Sequence, residues 1–423
     1  MLWHDYAINL YLIIFLVEKA INITQKNSLA PLKIKIFRNI WIANLVSNLG
    51  TWMHNIGAGW LMTDLSTDPF LVSLIQVSVV LPGFILTIPA GVLADIVDRR
   101  IYLLLAISWM IIFAVIIGAI TIFGDTTPFL LILFTFALGM GTAMILPAFT
   151  ALTPDLVPKN QLVEAVTLNS IAMNITRALG PAIAGILIAI SGPGLVFILN
   201  GISFIAIFVV IFNYDNSNSI DNKSKEGFIE ALFSGFSFLK NSKQLIIVMI
   251  RTIAFFSVGS AILTFLPLIV REEMNAGPQS YSFLVTSMGI GAVIAGISLT
   301  NFRARYKNNN ILIFSIIVTS ISLLGLAYIR SIFPLAIIMF FSGISWMCAV
   351  STLHVSAQLS LPAWVRARGM SLYLSSFMGS WALGSAIWGQ IAKLTNISIA
   401  LTVAVAFGII INIFTAKWKL TDI

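Results

Sequence analysis

Twelve apolar runs, each about as long as the twenty residues that a helix needs to cross a bilayer, constrain this chain more than any other feature. Only 9% of its residues are charged and 59% are hydrophobic, whereas soluble domains carry roughly 25% charged residues. We therefore predict an all-α membrane protein with twelve transmembrane helices. The runs are 39–63, 70–94, 101–123, 127–153, 163–190, 193–213, 244–269, 279–301, 310–329, 331–358, 368–392 and 396–416.

One long polar break, at 213–242, divides these runs six and six. It predicts two six-helix bundles, at 37–213 and 244–416, joined by a cytoplasmic linker at 214–243. Within the linker, 227–239 has the amphipathic pattern of an interfacial helix. We assign 1–36 to an N-terminal cytoplasmic or interfacial segment and 417–423 to a cytoplasmic tail.

The distribution of lysine and arginine predicts the orientation in the membrane. If the N-terminus is cytoplasmic, nearly all basic residues that lie between the spans are on the cytoplasmic side of the membrane. Only Arg271, Arg330 and Lys393 are then on the external side. This is the positive-inside pattern, so we expect both termini to be cytoplasmic. The net charge of +8 then needs no nucleic acid partner to explain it; the partners we expect are the lipid bilayer and a small molecule.

The two halves are related in sequence. An offset of 204 positions aligns 178–185 (ALGPAIAG) with 382–389 (ALGSAIWG) and Pro158 with Pro362. Parallel repeats about an axis along the membrane normal are typical of major facilitator transporters. The expected fold is thus two pseudo-symmetric bundles of six helices.

A charged decapeptide at 91–100, GVLADIVDRR, lies between the second and third runs. It resembles the loop between helices two and three of major facilitator transporters. The resemblance implies a cytoplasmic gate that holds the two halves together when the carrier is open outward. We expect glycine at its start to let neighbouring helices approach closely. Its predicted gate residues are Gly91, Asp95, Asp98, Arg99 and Arg100.

Segments 47–64, 168–185 and 364–374 narrow the resemblance to the enterobactin-exporter-like branch, also called the transmembrane secretion effector family. That likeness implies an efflux carrier of the bacterial inner membrane, and we expect a monomer. Gly180, Pro181 and Gly185 resemble a fifth-helix motif of exporters. The chain departs from many relatives at Thr51, where an acid is common.

Polar residues within the runs are candidates for a substrate cavity. In the first run they share one helical stripe, at i, i+4, i+7 and i+11: Asn44, Asn48, Thr51 and Asn55. The alternative is hydrogen bonding between helices. Asn174 and Arg177 lie on one face of the fifth run, and Arg177 lies near the bilayer midplane, where arginine is costly. It either faces the cavity or is satisfied by backbone carbonyls.

Further cavity candidates lie in the second half. Arg251 enters its run by one or two turns, so it either serves the cavity or extends to the cytoplasmic surface. Trp346, Tyr373 and Trp381 offer stacking surface, or simply pack. Positive charge without an acid inside the spans predicts an anionic or strongly hydrogen-bonding substrate.

Every acidic residue lies at the end of a run or in a loop. If the coupling ion is a proton, the candidates that titrate are His54, about fifteen residues into the first run, and Asp64 at its outer end. His354 is a weaker candidate, and a lone histidine is as often a packing residue.

Three classes of function remain. A secondary-active exporter working by alternating access explains the twelve runs, the repeat and the loop; an importer of the same fold shares all three features. A membrane enzyme should cluster His, Asp, Glu or Cys within the spans, and the sequence shows no such cluster and a single cysteine, Cys348. We therefore expect no catalytic residue, metal or cofactor. The chain also lacks a phosphate-binding Gly-x-x-x-x-Gly-Lys-Ser/Thr loop.

Overall fold

A computed structural model describes residues 29–214, 242–303, 305–362 and 365–420. Most of the predicted N-terminal segment and the predicted amphipathic helix at 227–239 lie outside the described residues. In the described ranges, the structure consists of long helices connected by short turns, and no strand occurs there.

The first half contains α1 (Lys35–Leu65), α2 (Pro69–Ile96), α3 (Arg99–Phe123), α4 (Pro128–Leu156) and α5 (Leu162–Phe212). Local sequence fixes where these helices begin. The side chains of Asp68, Asp98 and Thr127 accept hydrogen bonds from backbone N–H groups of the first turns of α2, α3 and α4, which satisfies donors that have no partner within the helix. Short 3-10 turns, Ala30–Lys33 and Lys159–Gln161, precede α1 and α5.

Helix α5 crosses the bundle twice. Gly192 interrupts it with φ 74°, a left-handed conformation that glycine adopts without steric cost, and Pro193 follows. We call the parts before and after Gly192 the first and second limbs. With both limbs counted, the first half makes six passes.

The second half contains α6 (Lys243–Leu268), α7 (Pro278–Arg303), α8 (Asn308–Tyr328), α9 (Ile332–Leu359), α10 (Arg366–Leu394) and α11 (Ile397–Thr415). A π-helical turn, Ile269–Glu273, extends α6. Each of the twelve predicted runs overlaps one pass, so the predicted fold class is confirmed.

Nine helices among the described residues are long and apolar enough to span a membrane, α5 being counted as one. Helices α1 and α10 are as long but less apolar, because α1 carries the asparagine stripe and α10 is rich in serine and glycine. Both helices contact the opposite half of the molecule. Polar side chains there avoid the hydrocarbon, where they would be costly.

The largest cluster of buried apolar side chains includes residues of both halves, among them Phe197 and Phe256. The ends of the bundles form two faces. The face at which Arg99, Arg305 and Lys417 lie is called the basic face below. The face at which Asp64 and Arg271 lie is called the opposite face.

Candidate substrate cavity and gates

Two pairs of helices bring the halves into close contact, α5 with α7 and α2 with α10. Glycines make this possible. A Cβ on Gly289 of α7 would lie 2.9 Å from the backbone oxygen of Arg177 and 3.0 Å from the Cα of Ala178. A Cβ on Gly389 of α10 would lie 3.3 Å from the Cα of Phe70. Such small residues let membrane helices pack at short distance.

The predicted exporter motif lies in this packing. A Cβ on Gly180 would clash with Trp52 of α1, and one on Gly185 would clash with Ser282 of α7. Pro181 is buried between them. The motif therefore allows the first limb of α5 to contact its own half and the opposite half at once.

Ion pairs connect the halves at the opposite face. Arg271 of the second half pairs with Asp64 at the end of α1, and Lys393 Nζ lies 2.6 Å from Asp68 Oδ2. The Arg271 guanidinium also lies 5.2 Å from the centre of the Trp60 ring. These contacts join the two halves at the opposite face.

The electrostatics of Asp68 follow from its position at the start of α2. Burial raises its pKa, but the hydrogen bond from Lys393 and backbone N–H groups outweigh burial, and the net effect lowers the pKa below its ordinary value. The carboxylate therefore stays ionised and paired at neutral pH. Arg330, the third basic residue predicted for this face, pairs with Glu273 of its own half.

At the basic face the loop at 91–100 makes contacts within its own half. Arg99 Nη1 lies 2.9 Å from Asp155 Oδ2, and Arg100 donates hydrogen bonds to the carbonyl oxygens of Ile211 and Phe212. Asp98 accepts a hydrogen bond of 2.9 Å from the backbone N–H of Ile101. These described contacts all lie within the first half, so none of them joins the two halves.

The two remaining predicted gate residues are Asp95 and Gly91. The side chain of Asp95 lies outside the described residues. A Cβ on Gly91 would meet no described atom within 4 Å, so among the described residues no close helix contact depends on this glycine, contrary to the expectation. The prediction that the loop forms a gate in the outward-open state stays a prediction.

Between the two halves lies a cavity of about 380 Å³. Its wall from the first half is polar in part, with Asn55, Gln76, Thr87, Thr142 and Arg177. Its wall from the second half is largely aromatic and aliphatic, with Tyr281, Met288, Trp346, Phe377, Met378 and Trp381. The cavity thus offers hydrogen bonding on one side and stacking surface on the other.

Arg177 is the charged residue of this cavity wall. Its guanidinium lies 5.8 Å from the centre of the Trp52 ring, and the side chain is half-buried. Among the described residues it has no acidic partner. A positive charge within a membrane is costly unless it is paired.

The aromatic wall contains a second unsatisfied donor. Trp381 packs edge-to-face on Trp346 with ring centres 4.8 Å apart and on Phe377 at 5.8 Å. Its Nε1 is buried and has no hydrogen-bond partner among the described residues. An unmade hydrogen bond of this kind costs about 1–3 kcal/mol, so a bound acceptor would be favoured here.

Four of the ten predicted cavity residues line this cavity: Asn55, Arg177, Trp346 and Trp381. The other members of the first-helix stripe and Asn174 do not line it. Thr51 and Asn174 instead donate hydrogen bonds to the backbone one turn earlier in their own helices. Asn44, Asn48 and Thr51 are half-buried toward the basic face. Tyr373 is buried against His354, with ring centres 5.7 Å apart.

The structure corrects the expectations for Arg251. It is only 1% exposed, so it does not extend to the surface, and it does not line the cavity. It donates hydrogen bonds to Asn309 Oδ1 at 2.5 Å and Thr415 Oγ1 at 3.2 Å. Arg251 thus connects α6, α8 and α11 inside the second half.

The two predicted proton carriers lie apart. His54 is buried beside Phe197, with ring centres 4.6 Å apart, and neither ring nitrogen has a partner among the described residues. It does not line the cavity. Asp64 lies at the opposite face in its pair with Arg271. Their role in coupling stays a prediction.

Sequence reasoning missed several cavity residues. Gln76 gave a signal, because it is an isolated amide in an otherwise apolar run. Trp52 and Tyr281 gave no such signal, because aromatic residues are common in membrane helices. Whether their side chains face the cavity depends on how the helices pack.

A family model described as transmembrane secretion effector matches residues 26–423 of this chain. The chain belongs to this family. Its curated relatives include the staphyloferrin A transporter of Staphylococcus aureus (strain NCTC 8325 / PS 47), 23% identical over 352 residues, which cover 82% of this chain and 87% of the relative. Macrolide efflux protein A of Streptococcus pyogenes is 22% identical over 289 residues, covering 68% of this chain and 71% of that protein.

Solved structures confirm the fold of this family member. A mutant of the nucleoside transporter NupG matches with a TM-score of 0.75 at 12% identity, over 91% of this chain and 100% of that one. A D-xylose-proton symporter matches with a TM-score of 0.67 at 11% identity, over 91% and 98%. The protein is a multi-pass membrane transporter with the major facilitator fold.

Proposed function

We propose that this chain is a secondary-active exporter of small organic anions, such as catecholate siderophores or acidic metabolites, in the bacterial inner membrane. Similarity to macrolide efflux proteins supports export, and similarity to the staphyloferrin A transporter supports a small-molecule substrate. The observation that carries the anionic preference is Arg177, a charged group in the wall of the cavity between the halves without an acidic partner among the described residues.

The positive-inside pattern supports a cytoplasmic position for the basic face. The conformation described here is then open inward, since ion pairs join the halves at the opposite face and the described contacts of the basic-face loop lie within the first half. Alternating access would break the pairs of Asp64 and Asp68 and engage the loop at 91–100. A substrate from the cytoplasm would enter the cavity in the present state.

The donors of the cavity suggest how a substrate is held. Arg177 belongs to the first half and contacts the Trp52 ring, whereas Trp381 belongs to the second half and its Nε1 has no hydrogen-bond partner among the described residues. An anion with a second acceptor and a flat ring would satisfy both donors and stack on the aromatic wall. Contact with both halves would let such a substrate favour their closure around it.

The experiment measures transport into everted membrane vesicles from cells that express the chain, under imposed proton and sodium gradients. A catecholate siderophore and a lipophilic aromatic cation serve as probes. We expect gradient-driven accumulation of the anion, a reduction of about tenfold or more in Arg177→Gln, because a hydrogen bond to a charged group is worth about 1.5–3 kcal/mol, and partial retention in Arg177→Lys.

Thr51→Ala is the matched control, because Thr51 lies on the polar stripe of α1 but outside the cavity, and its transport should equal that of wild type at equal membrane abundance. Better transport of the cation, or unchanged anion transport in Arg177→Gln, would refute the anionic preference. Anion movement only in right-side-out vesicles would instead indicate an importer.

A further inference from the structure

A second cavity lies on the outer surface of the second half. It has a volume of about 690 Å³ and opens between α7 and α8, with α9 as its floor. Its lining is almost wholly apolar and includes Ala295, Leu299, Ile311, Ile344 and Cys348. This groove is separate from the central cavity, with which it shares no lining residue.

The mouth of the groove lies at the basic face and has an amphipathic rim. Phe302 and Tyr306 flank it with rings 6.2 Å apart and are 54% and 53% exposed. Asn310 contributes an amide at the same level. Aromatic and polar residues at the mouth of an apolar groove are typical of the level where lipid acyl chains meet the headgroups.

The charge of the described residues around this mouth is positive. Arg305 and Lys307 are exposed beside Tyr306, and among the described residues neither has an ion-pair partner. The sequence contains no Asp or Glu between Glu273 and Asp422. No Asp or Glu side chain between these two positions can therefore pair with Arg305 or Lys307.

The corresponding loop of the first half is different. There Arg99 pairs with Asp155 at 2.9 Å, so its basic charge is balanced within the same half. In the related loop of the second half the acids are missing and an open groove lies beside the cations. An external anion with an apolar tail complements both features.

We propose that this groove binds an anionic phospholipid of the leaflet at the basic face. Its acyl chain lies against Leu299, Ile344 and Cys348, and its phosphate accepts hydrogen bonds from Arg305, Lys307 and Asn310. Basic pockets between transmembrane helices on the cytoplasmic side are typical sites for anionic headgroups. The proposal requires only the membrane setting and does not depend on which substrate is transported.

The test is native mass spectrometry of the full-length protein, with phosphatidylglycerol or phosphatidylcholine of identical acyl chains added at equal concentration. We expect tighter retention of phosphatidylglycerol by wild type. In Arg305→Gln with Lys307→Gln the affinity for phosphatidylglycerol should fall by on the order of tenfold, toward that of phosphatidylcholine. In Ser298→Phe, which fills the groove, both lipids should lose this site.

Two matched controls make the same kinds of substitution at positions away from the groove. Lys417→Gln with Lys419→Gln removes equal charge from the basic face away from the groove, and Ile321→Phe adds a ring on the exposed side of α8; both should bind phosphatidylglycerol as wild type does. Equal retention of the two lipids by wild type, full retention after Ser298→Phe, or a dimer that forms in place of lipid binding would overturn the proposal. Comparable binding of free glycerol phosphate would show that the apolar groove has no part.

Discussion

The ion pairs at the opposite face should hold the carrier in its present conformation. The perturbation is Arg271→Gln combined with Lys393→Gln, which removes the pairs with Asp64 and Asp68. The four side chains are 25–48% exposed, so each pair contributes only about 0.2–1 kcal/mol. The Arg271 guanidinium over Trp60 at 5.2 Å adds about 0.5–1 kcal/mol.

Together these terms amount to roughly 1–3 kcal/mol, which corresponds to a shift of about 5- to 150-fold between the two conformations. The assay is double electron–electron resonance between spin labels at Ser66→Cys and Thr395→Cys, in a Cys348→Ser background. The ends of α1 and α10 should move apart, and a population with a longer distance should grow at the expense of the wild-type distance.

The chain offers a matched control in Arg330→Gln. Arg330 pairs with Glu273 at the same face but within the second half, so its replacement removes one positive charge and one ion pair from this face without touching the contact between halves. It should leave the distance distribution unchanged. An unchanged distance distribution in the double variant, or an equal shift in Arg330→Gln, would show that the ion pairs between the halves do not hold this conformation.

Three further predictions concern single positions. Because the pKa of Asp68 is lowered below its ordinary value, the carboxylate should stay ionised and paired with Lys393 at pH 5 as at pH 7, and the pair should be lost only as pH falls through that lowered pKa; the label distances at pH 5 and pH 7 should therefore agree. Gly289→Ala should weaken the contact of α5 with α7 by about 1–3 kcal/mol and lower the melting temperature, whereas Gly91→Ala, with open space around its Cβ, should not. Arg251→Gln should lower the unfolding free energy by about 1–3 kcal/mol and leave the KM for transport unchanged, since Arg251 lies outside the cavity; a raised KM with normal stability would contradict this.

The sequence predicted the helices well, because runs of about twenty apolar residues and turn residues such as Gly124 are local signals. Helix α3 begins two residues before its predicted run and ends with it at Phe123. Even the break at Gly192 was visible, as Ser-Gly-Pro between two runs. Membrane insertion imposes these lengths on the chain regardless of tertiary packing.

The site was predicted only in part. Arg177 and Arg251 are both arginines within apolar runs, yet one lines the cavity and the other is bonded to Asn309 and Thr415 inside a bundle. Which side of a helix faces the cavity depends on packing between helices that are distant in sequence. The same reason explains why the prediction for the polar stripe of α1 was wrong in part. Only Asn55, the member of the stripe furthest from the basic face, lines the cavity.

The contacts between halves could not be predicted from the sequence. Asp64 and Arg271 are far apart in the chain, and their ion pair depends on how the two halves pack against each other. Sequence periodicity carries no signal for such a contact.

Binding of an aromatic anion to the purified protein is the most direct test of the proposal that the cavity prefers anions because of Arg177. Trp52, Trp346 and Trp381 surround the cavity, so their fluorescence should report a titration of the purified protein with dihydroxybenzoate or with the cation benzamidine. The account predicts saturable quenching by the anion, at least about tenfold weaker in Arg177→Gln and largely retained in Arg177→Lys. Equal binding of benzamidine, or an unchanged anion affinity in Arg177→Gln, would contradict it.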